Sequence, residues 1–201
     1  MAERTIEIPE IRIGRLVVNI IGTAPLITNR FSGKAITIIE NKQQKKAKSV
    51  KEARNPQVEM TEKLHVIDAK KNIYGYPSIG IKKALVYSGG RFADEKMTHL
   101  RGTINIPGDL IQIIAPEPKM RTDTVRLQGG ITSIAYRPQF WPWEMEIPVE
   151  FNSLIIGEAQ ILNLFQIVGF ANGLGAWRPE LNGTMGTFVL KNTVVARQAA
   201  E

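Results

Sequence analysis

The sequence predicts an α+β fold with a split βαβ core of the ferredoxin-like type and an antiparallel sheet. Three observations predict it. β-branched, apolar runs lie near both ends of the chain, at residues 15–21 and 187–195. Two segments carry helical apolar spacing, one after Ser78 and one over residues 152–170. With a basic arm and a hairpin set aside, the remaining order is strand, helix, strand, strand, helix, strand.

Each element follows from its residues. Residues 5–9 and 11–13 alternate, and RLVVNII at 15–21 reads as a central strand. Gly22-Thr-Ala-Pro25 ends it with turn chemistry. A loop, PLITNRFSGKA, follows and holds Arg30 and Lys34. Residues 40–57 are polar, basic and poor in apolar side chains, so they cannot bury enough surface to order themselves alone. They read either as an arm inserted in the domain or as a solvated helix with a charged surface.

Leu64, Val66 and Ile67 are strand-like, and the aromatic run around Tyr74 and Tyr76 leads to Pro77. Ser78 suits a helix N-cap. After it Ile81, Ala84, Leu85 and Ser88 fall on one side, and Gly89-Gly90 is expected to close the helix. Lys82 and Lys83 stand in its first turns, where the helix dipole disfavours cations. That local conflict points to an external anion, or it is the common placement of surface lysines without function. Residues 91–108 read as mixed loop, and 109–115 as a strand. Residues 119–137, broken by Gly129-Gly130, read as a hairpin. Pro138-Gln-Phe140-Trp141-Pro142-Trp143 offers either a stacking platform or core aromatics. Residues 145–151 form another strand. In 152–170 the stripe Ile161, Leu164, Phe165, Val168 marks the second helix. The whole chain reads as one domain, 1–201, with residues 30–57 as the arm and 116–145 as a hairpin insertion. The core is that of the RNA recognition motif.

The segment GFANGLGAWRPELNGTMGTFV, 169–189, organises the rest. Five glycines, Gly169, Gly173, Gly175, Gly183 and Gly186, surround Trp177-Arg178-Pro179 between the last helix and the last strand. Glycine permits close backbone approach and positive φ. Such a loop with an aromatic and an Arg suits a polyanion backbone, and it equally suits a turn that needs its glycines for geometry alone.

Composition narrows the function. The 201 residues are 43% hydrophobic, enough for a real core, and hold no apolar run of membrane-spanning length. No signal peptide is visible in the first ten residues. The absence of cysteine removes thiolate catalysis, disulfides and Cys-based zinc sites, and it fits a cytoplasmic protein, inside a bacterial host cell if the origin is a phage. The two histidines, His65 and His99, lie in no metal-binding or triad spacing and read as ordinary surface or partly buried residues. Neither cofactor nor metal is expected. Adjacent acids such as Asp94-Glu95 read as solvated. The formal charge is +7, and between Arg30 and Arg54 eight basic residues face two acidic ones, so that segment alone carries +6. Such a balance favours nucleic acid.

Three local patterns resemble the RAMP superfamily, which includes backbone proteins of CRISPR effector complexes. They are Gly22-Thr-Ala-Pro25-Leu26 after the first strand, Tyr76-Pro-Ser-Ile-Gly-Ile-Lys82-Lys-Ala-Leu85 at the helix opening, and Gly173-Leu-Gly175 through Gly186 before the last strand. The second lacks the glycine that usually follows the proline. Residues 121–188 also look like bacteriophage proteins of no assigned function, through Tyr136-Arg137-Pro138, Trp177-Arg178-Pro179-Glu180 and Gly183-Thr-Met-Gly186. The RAMP resemblance implies a ferredoxin-like palm, protruding loops and oligomers that track a single strand. Target-cleaving members place an Asp after the first strand, whereas residues 22–39 hold no acid here, so no catalytic role carries over.

The expectation is a non-enzymatic, cytoplasmic protein that binds single-stranded RNA, or DNA, and multimerises along it, with other ribonucleoprotein subunits as further partners. Backbone neutralisation falls to Arg30, Lys34, Lys42, Lys45, Lys46, Lys48, Lys51, Arg54, Lys82, Lys83, Arg137 and Arg178. Gly173 and Gly175 give backbone approach, and Trp177 and Trp141 stack bases or a neighbouring subunit. The alternative is a phage structural or assembly protein whose arm contacts neighbouring subunits or packaged DNA.

Overall fold

Leu16, Val18 and Ile20 alternate with Arg15, Val17 and Asn19, and this period of two sets one strand face into the core. The computed structural model describes residues 10–31, 33–45, 54–126 and 130–191. In chain order its elements are β1 (Ile13–Gly22), β2 (Leu26–Ile27), α1 (Gly33–Gln43), α2 (Pro56–Glu62), β3 (Val66–Asp68), β4 (Ile73–Pro77), α3 (Ser78–Phe92), α4 (Met97–Thr103), β5 (Ile104–Asn105), β6 (Leu110–Gln112), β7 (Lys119–Arg126), β8 (Thr132–Phe140), β9 (Glu144–Asn152), α5 (Glu158–Ile167) and β10 (Phe188–Leu190). A π-helical turn, Val168–Asn172, extends α5.

The core sheet runs β10-β1-β9-β5, antiparallel throughout. Taken with α3 between β1 and β5 and α5 between β9 and β10, this is the split βαβ arrangement that the element order predicts. The second core strand, however, is the two-residue β5, inside a stretch that reads as loop. Residues 109–115 supply β6 instead, which joins β4 in a separate sheet, β3-β4-β6. A third sheet, β2-β8-β7, contains the predicted hairpin and recruits Leu26–Ile27, two residues the sequence reads as loop. The proposed hairpin insertion therefore ends earlier than residue 145, because Glu144 already pairs with Ile21 in the core sheet.

Ile81, Leu85 and Ser88 of α3 and Ile161, Leu164 and Phe165 of α5 are buried over Val18, Ile20, Met145 and Ile147, as their spacing predicts. Two details of α3 differ from expectation. Pro77 occupies the N-cap position, and the Ser78 hydroxyl donates to the Gly108 carbonyl, tying the helix start to the loop before β6. Gly89 and Gly90 do not end the helix, which runs on to Phe92. A Cβ at Gly89 would lie 2.4 Å from Leu100 and one at Gly90 2.5 Å from Met97, so these glycines admit α4 against α3.

The basic arm also resolves differently. Of its residues 40–57, 40–43 end α1 and 56–57 open α2, while 46–53 lie outside the described residues. Asn55 caps α2, its Oδ1 accepting from the amides of Gln57 and Val58, with Pro56 in the first helical turn. Lys46, Lys48 and Lys51, the alternation at 5–9 and the end of the predicted last strand lie outside the described residues. Among the described residues no helix is long and apolar enough to cross a membrane.

Candidate nucleic-acid interface

The glycine segment leaves the π-helical turn at Gly173, whose φ is 67°. The Leu174 amide then donates to the Gly186 carbonyl, and Gly186 donates to Pro25. Ala176 donates to Ile27, and Gly175 donates to the Tyr76 phenol oxygen at 3.0 Å. The loop is thereby sewn to the turn between β1 and β2 and to the end of β4. A Cβ at Gly183 would lie 1.8 Å from the Trp177 carbonyl, and one at Gly186 1.8 Å from that of Leu174. These glycines are geometric: they let the loop close on itself. The Gly175 amide and carbonyl are both engaged, the carbonyl by Arg178 Nη1 at 3.0 Å. Both groups are thus satisfied within the chain. Burial holds the Tyr76 phenol above its ordinary pKa, against the Gly175 bond that opposes the rise. Tyr76→Phe removes the acceptor and strands the Gly175 amide, so it should cost about 1–3 kcal/mol, read as a lower midpoint in thermal or urea unfolding.

What the loop positions is a pair of clefts, of about 720 and 600 Å³, with Tyr76 and Arg178 lining both. The first gathers Lys82 and Lys83 of α3, Arg101 of α4, Gly173 and Arg178, with Ile79, Tyr87 and Met97 as apolar wall. Arg178 is held by Glu180, its Nε 2.7 Å from Oε2. The second gathers His65, Arg126, Arg137 and Trp177, with Thr28 and Asn29. Burial and the nearby Arg30 charge lower the His65 pKa.

Trp177 adopts φ 57° and is 39% exposed. Its anchor is Asp123 of β7, which is 6% exposed. Arg121 Nε lies 2.7 Å and Arg137 Nη1 3.3 Å from the Asp123 carboxylate, and Trp177 is a further side-chain hydrogen-bond partner. Burial pushes this carboxyl up. The hydrogen bonds from Arg121 and Trp177 and the two guanidinium charges outweigh burial and hold it below the usual carboxylate range. Arg137 Nε is buried without an acceptor among the described residues.

The structure thus brings Lys82, Lys83, Arg137, Gly173, Gly175, Trp177 and Arg178 together around one loop. Arg30 stands beside the second cleft, through its effect on His65. Lys34, Lys42 and Lys45 fall in or just after α1. Arg54 is not a free arm cation. It pairs with Glu59 at 2.6 Å, donates to the Ile134 carbonyl and lies 5.6 Å over the Tyr136 ring, so it ties α2 to the hairpin. Trp141 is 48% exposed at the turn between β8 and β9 and lines neither cleft. Its neighbour Trp143 is fully buried, donates to the Ala24 carbonyl and packs edge-on to Phe188. Sequence reasoning missed Arg101 and Arg126 as lining cations, Tyr76 as the loop's tether and Asp123 as the anchor. The parity of Arg121 and Asp123 on one hairpin face was the available signal for the last. Among the described residues no three His, Asp or Glu side chains gather as a metal site.

No family model and no curated protein matches the chain. Among solved structures, a chain from the cryo-EM structure of the Type III-B Cmr-beta bound to cognate target RNA matches with a TM-score of 0.57 and 12% identity. The match covers 91% of this chain and 60% of that one, so this chain spans less than two thirds of its length. The likeness carries the fold, and it agrees with the architecture that the RAMP resemblance implies.

Proposed function

We propose that the chain is a non-enzymatic, cytoplasmic, single-stranded nucleic-acid-binding protein that multimerises along its strand. The observation that carries this reading is the convergence of Lys82, Lys83, Arg101 and Arg178 on one side of the glycine loop and of Arg126, Arg137 and the half-open Trp177 on the other. Cations neutralise phosphates and release counterions, and the indole offers a face for a base. RNA is favoured over DNA because the solved chain of like fold comes from an assembly captured on a target RNA. Further copies and other ribonucleoprotein subunits are the partners this reading supplies.

Labelled single-stranded RNA, single-stranded DNA and duplex DNA, titrated over a salt series, test it. Tight, salt-steep, single-strand-selective binding is expected, with RNA bound best. Lys82→Glu with Lys83→Glu should weaken binding to all sequences alike. If both lysines meet phosphates, the slope of log affinity against log salt should flatten by about 1.4, at roughly 0.7 per contact. An unchanged slope removes α3 from the interface. Weak binding to all three nucleic acids sinks the reading, and stable oligomers without nucleic acid would then favour the assembly role.

A further inference from the structure

The two clefts differ in the cations they hold. The first mixes Lys82 and Lys83 with Arg101, and Glu180 lines it as well. In the second, Arg126, Arg137 and Arg178 come from β7, β8 and the glycine loop, and His65 joins them. Among the described residues no acid lines this second cleft. A lysine is a compact point charge, whereas a guanidinium is a rigid fork that offers two N–H groups to two oxygens of one phosphate. The acids behind the cleft do not neutralise it. Glu180 holds Arg178, and Asp123 shares one carboxylate between Arg121 and Arg137. The Arg137 side chain is only 15% exposed, and its Nε has no acceptor among the described residues. Lys63 and His65 feel the surplus. Burial lowers both pKa values, and the Arg137 charge lowers that of Lys63 further, as the Arg30 charge does for His65. A corner with this much unpaired positive charge gains from a bound anion.

Charge and shape choose the anion. An internal phosphodiester brings one negative charge and two free oxygens. A phosphate monoester brings about 1.5 to 2 charges at neutral pH and three strong acceptor oxygens. Three guanidiniums from three elements suit three oxygens on one phosphorus. The cleft volume of about 600 Å³ lies within the range of small-ligand pockets, about 300–1,000 Å³, and Trp177 lines the same cleft with a face for a base. We infer that the second cleft is a phosphate-monoester site, with Arg126, Arg137 and Arg178 around the phosphate and Trp177 against the base of the nucleotide that carries it. That nucleotide is the phosphorylated end of a strand or a free mononucleotide. The inference deepens the reading above, from which it takes only that Trp177 offers its face to a base.

RNA strands of one sequence, ending in a 5′-phosphate, a 3′-phosphate or hydroxyls alone, are titrated at fixed salt, with adenosine monophosphate and adenosine as free probes. A phosphorylated end should bind about tenfold tighter than the hydroxyl-ended strand, the yield of one added hydrogen bond to a charged group. The chain holds two histidines, so the His65 ring signals separate from those of His99 by NMR. Adenosine monophosphate should raise the His65 pKa, since a phosphate then stands among the Arg30, Arg126, Arg137 and Arg178 charges around that ring. Adenosine should leave it unmoved, and His99 should respond to neither. Arg126→Gln, an exposed position, should remove most of the end preference. Lys82→Glu with Lys83→Glu in the first cleft should weaken every strand and keep the ratio. If Arg126→Gln folds poorly, the His65 titration in the unaltered protein decides. An end preference without a response to the free nucleotide assigns the site to a strand end, and the reverse assigns it to a mononucleotide. Equal affinities with an unmoved His65 overturn the site, as does an end preference that survives Arg126→Gln or a His99 shift equal to that of His65. Salt-steep binding with neither response sinks the site and spares the strand reading. A His65 response in a protein that binds no hydroxyl-ended strand does the opposite.

Discussion

Asp123→Ala should destabilise the fold by about 3–5 kcal/mol, the largest stability effect we expect of any single polar substitution in the chain. The carboxylate is almost fully buried and holds Arg121, Arg137 and Trp177 at once. Its removal leaves Arg137, whose side chain is 15% exposed and whose Nε already lacks an acceptor, without its counter-charge. It also releases the hairpin sheet from the glycine loop, because Asp123 belongs to β7 and Trp177 to the loop. The effect has a pH signature. The folded-state pKa of Asp123 is depressed, so its contribution is complete above the ordinary carboxyl pKa and is lost as pH falls through the folded value. Urea unfolding of the two proteins should therefore show the full gap near neutral pH and a shrinking one in acid. A gap that stays constant into acid would mean that the ionised carboxylate is not what stabilises this corner.

Trp177→Ala should weaken single-stranded RNA binding by about 1–3 kcal/mol, or about 5- to 150-fold in Kd, if the ring stacks a base. The residue's exposure and its left-handed backbone present an indole at the rim of the second cleft, while its bond to Asp123 fixes the ring's edge. Those two roles separate by substitution. Trp177→Phe keeps an aromatic face and loses the N–H, so it should retain most of the affinity while shedding stability. Equal affinity losses for Ala and Phe would assign the residue to anchoring the loop. Full affinity in both would take it out of the interface. Thermal unfolding of each variant, run in parallel, shows which losses come from misfolding.

The core of the fold was legible where elements are long and periodic. Residues 15–21, the stripe at 81–88 and the stripe at 161–168 all turn one apolar face inward, and that face is written in their spacing. Short elements carry no such signal. β5 is two residues, Ile104–Asn105, and β2 is Leu26–Ile27, and neither has a period of its own. Both exist because a longer strand, β9 or β8, offers free backbone groups beside them. The start of α2 was legible, since Asn55-Pro56 is a cap followed by a first-turn proline, but the charge run around it masked the signal.

The site divides in the same way. Sequence alone determined the chemistry available: a strong positive charge, no thiol, few histidines, and a loop of glycines around Trp177 and Arg178. Only the tertiary structure decided which cations share a cleft, Lys82 with Arg101 and Arg126 with Arg137, because they come from four elements whose separation along the chain says nothing of their distance in space. It separated Trp141 from Trp143, alike in composition and two residues apart, by burying one against Phe188 and leaving the other in water. It also showed why Gly183 and Gly186 must be glycine, since a Cβ clash depends on the atom facing it and that atom lies elsewhere in the chain. Local physics sets what each residue can do. Long-range packing, which no window of sequence contains, sets what it faces.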